Sequence, residues 1–547
     1  MAFARRVFPD HLRGLYSLIA FTAFWWAAVD SFPLWKMAAG ASFPAPLFIA
    51  LGVGLVLLLE ALLLLVSAFT GRRAFKALVS LLSVIGAGGF AFSVLYNAAM
   101  SPEMLRNAFE TDMREAGELL SPALFGLIGF AVMPPLLAAW KAAIPNRGVK
   151  ARASALGLAA LCVLLGAGAV MTDFKDVSVF MREHKDARYF ISPLNVMYSA
   201  ASTTLRDQSA GAAKSRIPVD PSPALAAAAA NAKRPLIVAV VVGETARASS
   251  WGLSGYGRDT TPELRREGVI NFSDVTSCGS STAVSLPCMM SRTGRADYDR
   301  DRILSEEPLP SLLSRAGASV AWIDNQSGCK GTCEGVPTVT PAKDLTAVGR
   351  ARYCPEGECF DEALLPYVEK TEGAPGTVTA VFFHMMGSHG PTYSKRYPKE
   401  FAKWSPVCDS SNIQACRPEE LKNAYDNSIA YTDRTVAAMI RALKAKTGAD
   451  TALIYVSDHG ESLGEKGLFL HGAPYAIAPG EQTKVPMVLW MSKSFEERLG
   501  IDAECVKAAA AKPVSHDSLW STVIGLSQVE TSAYEKKLDV IGACRRS

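Results

Sequence analysis

Along its first 172 residues the chain is apolar for stretches of about 20 residues, separated by short charged loops. A helix needs about 20 consecutive apolar residues to cross the hydrocarbon core of a bilayer. Five segments reach that length, at 13–35, 45–69, 77–99, 120–143 and 153–172. Beyond them the pattern changes. From Thr172-Asp173-Phe174-Lys175 to Asn195-Val196-Met197-Tyr198, charges and aromatics interleave, as in an amphipathic segment lying on a membrane surface. Ile217-Pro218-Val219-Asp220-Pro221-Ser222-Pro223 and the alanines up to 230 read as a linker. From Arg234 onward the apolar runs shorten to strand length, at 236–242, 319–323, 377–384, 451–456 and 485–491. Continuous β-branched runs predict strands buried on both faces. Helical patterns such as Asn423 to Leu443 lie between them, so a mostly parallel sheet with helices on both faces is expected. The predicted architecture is an α-helical membrane domain of five transmembrane helices (1–172), a surface segment and linker (173–233), and an α/β domain (234–547).

Charge gives this architecture a direction. Arg5, Arg6 and Arg13 precede the first span, Arg72, Arg73 and Lys76 follow the second, and Lys141, Arg147, Lys150 and Arg152 follow the fourth. The other two loops carry Lys36 alone, or a mixture of Glu103, Arg106, Glu110, Asp112, Arg114, Glu115 and Glu118. The positive-inside bias places the N-terminus in the cytoplasm, and five crossings place the α/β domain outside. The first span is not read as a cleavable signal, because more spans and no small-residue cleavage site follow it. The net charge is only +4 and forms no basic stripe, which argues against nucleic-acid binding. Glu60 lies mid-membrane, where an acid marks either a packing contact or a translocation path.

Of 11 cysteines, Cys162 lies in an apolar run and reads as a small lipid-facing hydrophobe. The rest follow residue 270, and eight fall in close pairs: Cys278 with Cys288, Cys329 with Cys333, Cys354 with Cys359, and Cys408 with Cys416. Short spacings and an even count predict disulfides in an oxidising compartment, on the side the charges already chose. Cys505 and Cys544 are left as a further pair. No pair has the C-x2-C spacing of a zinc ribbon.

The chemistry gathers at strand ends. Gly243-Glu244-Thr245 closes one apolar run and Ser457-Asp458-His459-Gly460-Glu461 another. In open α/β sheets ligands bind at that edge. Glu244, Asp458 and His459 can therefore converge on one divalent cation, and the single imidazole favours Zn²⁺ over Mg²⁺ or Mn²⁺. The run from Ser277 to Cys288 packs several hydroxyls between two cysteines. Such a hydroxyl is a weak nucleophile until a base or metal activates it. His389 and His471 follow other segments of the same domain, where they can hold a second metal or a phosphate, or protonate a leaving alkoxide.

At these residues the chain resembles the phosphoethanolamine transferases of Gram-negative inner membranes, including the lipid A enzymes and the mobile colistin-resistance enzymes of the alkaline-phosphatase superfamily. The resemblance rests on Gly-Glu-Thr-Ala-Arg-Ala (243–248), Cys-Gly-Ser-Ser-Thr-Ala-Val-Ser-Leu-Pro-Cys-Met (278–289), Gly-Ser-His-Gly-Pro (387–391), Ser-Asp-His-Gly-Glu-Ser-Leu-Gly-Glu (457–465) and His-Gly-Ala-Pro (471–474). It implies a disulfide-stabilised, sulfatase-like catalytic domain in the periplasm. It also implies a zinc site of Glu244, Thr282, Asp458 and His459, with Thr282 becoming phosphorylated. His389 and His471 would be substrate-site histidines, Ser327 and Lys330 would contact the phosphoethanolamine group, and Asn107, Thr111 and Glu115 would bind the donor lipid. The lipid A enzymes carry Thr two residues before the nucleophile where this chain has Ser280, so Ser280 and Ser281 stay as alternative nucleophiles. The implied reaction moves phosphoethanolamine from phosphatidylethanolamine to lipid A in a monomeric inner-membrane enzyme, weakening attack by cationic peptides such as polymyxin. The competing expectations are another periplasmic acceptor such as a core sugar, a phosphoglycerol transferase, or a transporter or non-catalytic scaffold.

Overall fold

The computed structural model describes residues 13–40, 45–96, 99–102, 104, 105, 108, 117, 120–210, 216–355, 357–410 and 413–546. The chain divides into two compact units, one within residues 1–205 and a second that includes Arg206–Ser547.

Among the described residues of the first unit, four unbroken helices are long and apolar enough to cross a membrane: Ala45–Phe69, Arg72–Tyr96, Pro122–Lys141 and Val149–Met171. The fifth expected span is broken. Its two parts, Gly14–Asp30 and Phe32–Ala39, meet at 49°. The break follows a π-helical turn at Trp26–Asp30, whose wider winding interrupts the regular hydrogen-bond ladder. Helix Ala45–Phe69 packs closely on Val149–Met171. A Cβ added at Gly54 would stand 2.6 Å from Val170, so the missing side chain is what permits the approach. Cys162 is buried in this packing, 3.8 Å from Glu60 Oε2. This corrects the expectation that it faces lipid: its helix turns that side toward the Glu60 helix. The segment expected to be amphipathic forms helices Phe174–Glu183 and Leu194–Ala210 with a 3₁₀ stretch, Lys185–Phe190, between them.

Among its described residues the second unit has twelve strands: β1 (Ala224–Leu225), β2 (Leu236–Gly243), β3 (Ile270–Thr276), β4 (Ser319–Asp324), β5 (Thr338–Val339), β6 (Val378–His384), β7 (Asp450–Ser457), β8 (Ser462–Leu463), β9 (Phe469–Leu470), β10 (Lys484–Met491), β11 (Val514–Ser515) and β12 (Val529–Glu530). Eight of them form the central sheet, in the order β11-β3-β10-β7-β2-β6-β4-β5. Every residue of β2, β6 and β7 is buried, as their unbroken apolar runs require. Five of the seven pairings are parallel; β10 runs against both neighbours. The reversal has a simple cause. β7 ends at Ser457, and the chain loops through β8 and β9 and re-enters at the same edge without a crossover helix, so β10 must return antiparallel. β3 was not expected, because Ile270-Asn271-Phe272-Ser273-Asp274-Val275-Thr276 alternates and is no continuous run. It pairs with β10 on one side and β11 on the other. The helix expected over 423–443 extends over Pro418–Lys444.

The four close cysteine pairs are disulfides: Cys278–Cys288, Cys329–Cys333, Cys354–Cys359 and Cys408–Cys416. Cys505 and Cys544 form a fifth. Because β2, β4, β6 and β7 are parallel, their carboxyl ends share one edge. That edge carries Glu244, Asp324, His384, Asp458 and His459.

Candidate functional site

Glu244 follows β2 directly, and Asp458 and His459 follow β7, its hydrogen-bonded neighbour. Register brings them together, since Gly243 pairs with Ser457. All three side chains are fully buried. One ligand atom from each can be chosen so that all lie within 4.8 Å of one another.

Each ligand is held by a neighbour. Asp458 Oδ1 accepts the backbone N–H groups of His459 at 2.7 Å and Thr245 at 3.2 Å. Its Oδ2 is buried, accepts no hydrogen bond among the described residues and faces His459 Nε2 at 3.5 Å. A buried carboxylate oxygen in that state calls for a cation. His459 Nδ1 lies 2.9 Å from the Gly460 carbonyl and so carries a hydrogen, while Nε2 faces Glu244 Oε1 at 3.2 Å. Glu244 Oε1 also accepts from Thr245 Oγ1 at 2.6 Å. Thr245 adopts a left-handed backbone, φ 60°, a strain found where a site demands a particular geometry. Gly387 packs under Glu244 in the same left-handed region, and a Cβ there would meet the Glu244 carbonyl oxygen.

The charges at this point are unbalanced. Burial would raise Glu244, but the His459 hydrogen bond and charge hold it well below the usual carboxylate range. Burial and the Glu244 charge push Asp458 up to about 6. Burial lowers His459, yet the charges of Asp458 and Glu244 outweigh it and lift the imidazole to about 10. Two carboxylates thus compete for one positive charge, which a proton on His459 or a bound cation supplies.

The hydroxyl-rich run forms a helix, Thr282–Met289, with Thr282 in its first position and Ser281 as N-cap. Thr282 Oγ1 lies 3.1 Å from each Glu244 oxygen and 3.2 Å from His459 Nε2. Ser280 instead turns its hydroxyl to the Ala473 carbonyl. Of the three hydroxyls left open by the sequence, the described contacts bring Thr282 to the ligand cluster. A helix N-terminus also favours an anion such as a phosphate.

His471 stands beside the cluster, its ring centroid 4.3 Å from that of His459 and 5.7 Å from that of His389. Its Nδ1 is 3.3 Å from Glu461 Oε1. Burial and the His459 charge lower the His471 imidazole, against the pull of Glu461. Ser327 and Lys330 sit in the loop after β4, closed by Cys329–Cys333, where Lys330 Nζ donates to Ser327 Oγ at 3.3 Å. Asn107, Thr111 and Glu115 lie outside the described residues.

Among the cysteine bridges, Cys278–Cys288 brackets the start of the Thr282 helix, while two others staple loops. The Cys359 carbonyl accepts from Asn325 Nδ2 at 3.0 Å, which ties the Cys354–Cys359 loop to the end of β4. Cys416 donates its N–H to the Ile413 carbonyl at 3.3 Å, and its partner Cys408 donates to the Glu420 carbonyl at 3.0 Å, in the first turn of helix Pro418–Lys444. The described hydrogen bonds of Cys359 and Cys416 thus fix loop backbone and do not run to Glu244, Thr282, Asp458 or His459.

Sequence reasoning gave no role to three side chains here. Glu461 is fully buried against His471, although the Asp458-His459-Gly460-Glu461 run displayed it. His384, at the end of β6, is fully buried 3.5 Å from Asp324 Oδ1. His516 is buried, with Nδ1 accepting the Cys278 N–H at 3.0 Å and Nε2 at 3.0 Å from the Ser457 carbonyl. A backbone N–H only donates and a carbonyl only accepts, so the ring is neutral and carries its hydrogen on Nε2. Burial, foremost, pushes its pKa down to about 3. With only seven histidines in the chain, the His516-Asp517 pair was the available signal.

An α/β sheet with acidic and imidazole ligands beyond its central strands defines a sulfatase-type domain of the alkaline-phosphatase superfamily, here following a helical membrane unit. The sulfatase family model matches residues 237–529, and the model described as phosphoethanolamine transferase EptA/EptB matches residues 16–207. The chain is 36% identical over 480 residues to phosphoethanolamine transferase EptA of Escherichia coli K12, with 86% of each chain covered. It is 37% identical over 484 residues to phosphatidylethanolamine transferase Mcr-1 of Escherichia coli, with 87% of each covered. It also superposes on the integral membrane lipooligosaccharide phosphoethanolamine transferase A of Neisseria meningitidis with a TM-score of 0.90 at 35% identity, covering 97% of this chain and 99% of that one. The chain belongs to the phosphoethanolamine transferases of the EptA and Mcr type, and is a multi-pass membrane enzyme.

Proposed function

We propose that this enzyme moves phosphoethanolamine from phosphatidylethanolamine to a phosphate of lipid A on the periplasmic side of the inner membrane, with Thr282 as the nucleophile. The observation that carries this reading is the Thr282 hydroxyl, within 3.2 Å of both Glu244 and His459 at the buried ligand cluster. Zinc suits the donor set of two carboxylates, one imidazole and one hydroxyl, and the buried Asp458 Oδ2, which accepts no hydrogen bond among the described residues, supports a cation there. Glu244, Asp458, His459 and Thr282 would hold it. The chemistry a zinc ion supplies in such a place is Lewis acidity, which lowers the pKa of an adjacent hydroxyl.

The chain's own groups account for the rest. Thr282 Oγ1 bonds to the donor phosphorus and the bond to the diacylglycerol oxygen breaks. The proton lost from the hydroxyl is balanced by one gained by the diacylglycerol oxygen, with His389 and His471 as its donors. Glu461 keeps the His471 ring oriented through Nδ1. A lipid A phosphate oxygen then attacks the phosphothreonine and frees Thr282. Ser327 and Lys330, with Asn107, Thr111 and Glu115 of the loop between the third and fourth spans, are assigned to holding the donor. The added ammonium group offsets phosphate charge and weakens polymyxin binding.

Thr282→Ala tests the assignment. It should abolish transfer in a folded protein, and wild-type enzyme stalled without acceptor should carry one phosphoethanolamine on Thr282 by peptide mass spectrometry. An adduct on Ser280 or Ser281 would refute the nucleophile. Lipid A mass spectra from cells with and without the protein test the acceptor.

A further inference from the structure

The reaction as described leaves His516 without a part, although it lies against both halves of the site. Ser457, whose carbonyl it meets through Nε2, directly precedes the ligands Asp458 and His459. Cys278, whose N–H it accepts at Nδ1, opens the loop that carries Thr282. Its own backbone N–H bonds to the Thr276 carbonyl at 3.0 Å, two residues before Cys278, so the ring is anchored on the Thr282 side and reaches across to the strand end of Asp458 and His459. Ser285, one turn beyond Thr282, completes the junction by donating to the Asp458 carbonyl. Further described ties of the loop join Ser280 to residues 472 and 473, Ser277 to Thr483 and Tyr475, and Cys278 to Cys288, Arg295 and Asp517.

We propose that His516 is a positioning residue for phosphoryl transfer: its neutral imidazole joins the strand end bearing Asp458 and His459 to the loop bearing Thr282, and so sets the Thr282 hydroxyl against Glu244 and His459. The inference rests on the reading of Thr282 as nucleophile. Both bonds go to main-chain atoms, so the ring locates backbone. A ring is suited to this task, because its two nitrogens offer an acceptor and a donor at a fixed separation and opposed directions. Displacing a reacting group by about 1 Å can slow a reaction roughly 100-fold.

Three substitutions in the full-length protein separate the two bonds. His516→Asn keeps an acceptor near the Nδ1 position but cannot reach Ser457. His516→Gln reaches Ser457 with its amide N–H but leaves the Cys278 N–H without its partner. His516→Phe fills the volume and makes neither bond. The readouts are the single-turnover rate of phosphothreonine formation, KM for phosphatidylethanolamine in nanodiscs, zinc content and thermal midpoint. The expected result is a rate about 100-fold lower for His516→Phe, with Asn and Gln between Phe and wild type and KM and zinc content unchanged. If His516→Phe does not fold, the Asn and Gln variants carry the test. Wild-type rates in the folded variants would overturn the proposal, as would rates that fall only in proportion to zinc content or folded fraction. Should Thr282→Ala still transfer, the nucleophile reading fails and takes this inference with it. Normal His516 variants beside an inactive Thr282→Ala would sink this inference alone.

Discussion

Removing the Cys278–Cys288 bridge in a Cys278→Ala/Cys288→Ala variant separates its two effects, stapling the fold and placing the nucleophile. The cysteines are ten residues apart and both fully buried. For a loop of that length, the chain-entropy model gives a loss of about 2.7 kcal/mol. Lost packing of two buried sulfurs adds to it in the same direction. A domain of roughly 310 residues has an unfolding entropy near 0.65 kcal/mol/K at its midpoint, so the midpoint should fall by about 4 °C. Domains are stable by about 5–15 kcal/mol, so the variant remains folded at 25 °C. Any loss of rate there reports geometry. The loop keeps its bonds from Gly472 N to the Ser280 carbonyl at 2.7 Å and from Cys278 N to His516 at 3.0 Å. The rate should therefore drop on the order of tenfold, less than the ~100-fold of a fully misplaced group. Differential scanning calorimetry and transfer assays at 25 °C measure the two quantities separately. A wild-type midpoint together with a wild-type rate would refute the reasoning; a lowered midpoint with a wild-type rate would leave the bridge a staple only.

The remaining predictions concern the metal and the donor. Glu244→Ala, Asp458→Ala and His459→Ala should each lose zinc as well as activity, because a ligand both holds the ion and sets its geometry; wild-type zinc by elemental analysis in all three would put the site elsewhere. As the pH falls below about 6, zinc affinity should weaken, because a proton then competes for the metal-free Asp458 carboxylate. The sign for the metal-free fold is opposite: Asp458 is raised above its unfolded value of 3.8, so the native state binds that proton more tightly and gains stability as pH falls from about 6 toward 3.8. Zinc retention and metal-free thermal midpoint, measured against pH, should therefore move in opposite directions. Glu115→Ala should slow transfer from phosphatidylethanolamine without changing zinc content, and a fragment beginning at Arg234 should bind zinc yet transfer poorly from a bilayer donor; a fragment matching the full chain would make the membrane unit an anchor only.

Much of the site could be read along the chain, because its ligands sit beside the signals that predict strands. Glu244 and the Asp458-His459 pair follow apolar runs whose burial on both faces is itself legible. A strand's carboxyl end is a local property, and the parallel sheet makes neighbouring ends coincide. The four unbroken spans were equally plain, since about 20 apolar residues suffice for each. β3 and β10 show the limit. Val485 to Met491 was recognised as a strand, but its direction depends on the loop before it entering at the same edge. β3 was invisible because it alternates buried and partly exposed residues beside polar Asn271, Ser273 and Asp274.

The sequence by itself therefore determined the two-part architecture, the apolar spans, the strand ends that carry Glu244, Asp458 and His459, and the close cysteine pairs, all of which depend on residues near one another in the chain. The contacts that bring the Thr282 hydroxyl to Glu244 and His459 while Ser280 turns to Ala473 are set by tertiary structure, because adjacent hydroxyls along one run are separated only by the directions the fold gives them. Tertiary structure also decided that Cys162 turns inward to Glu60 and that Glu461 backs His471. The contact of His516 with Cys278 and Ser457 joins residues 238 and 59 positions apart. Contacts of that span are set by strand order and register, quantities that no local pattern of hydrophobic and polar residues encodes.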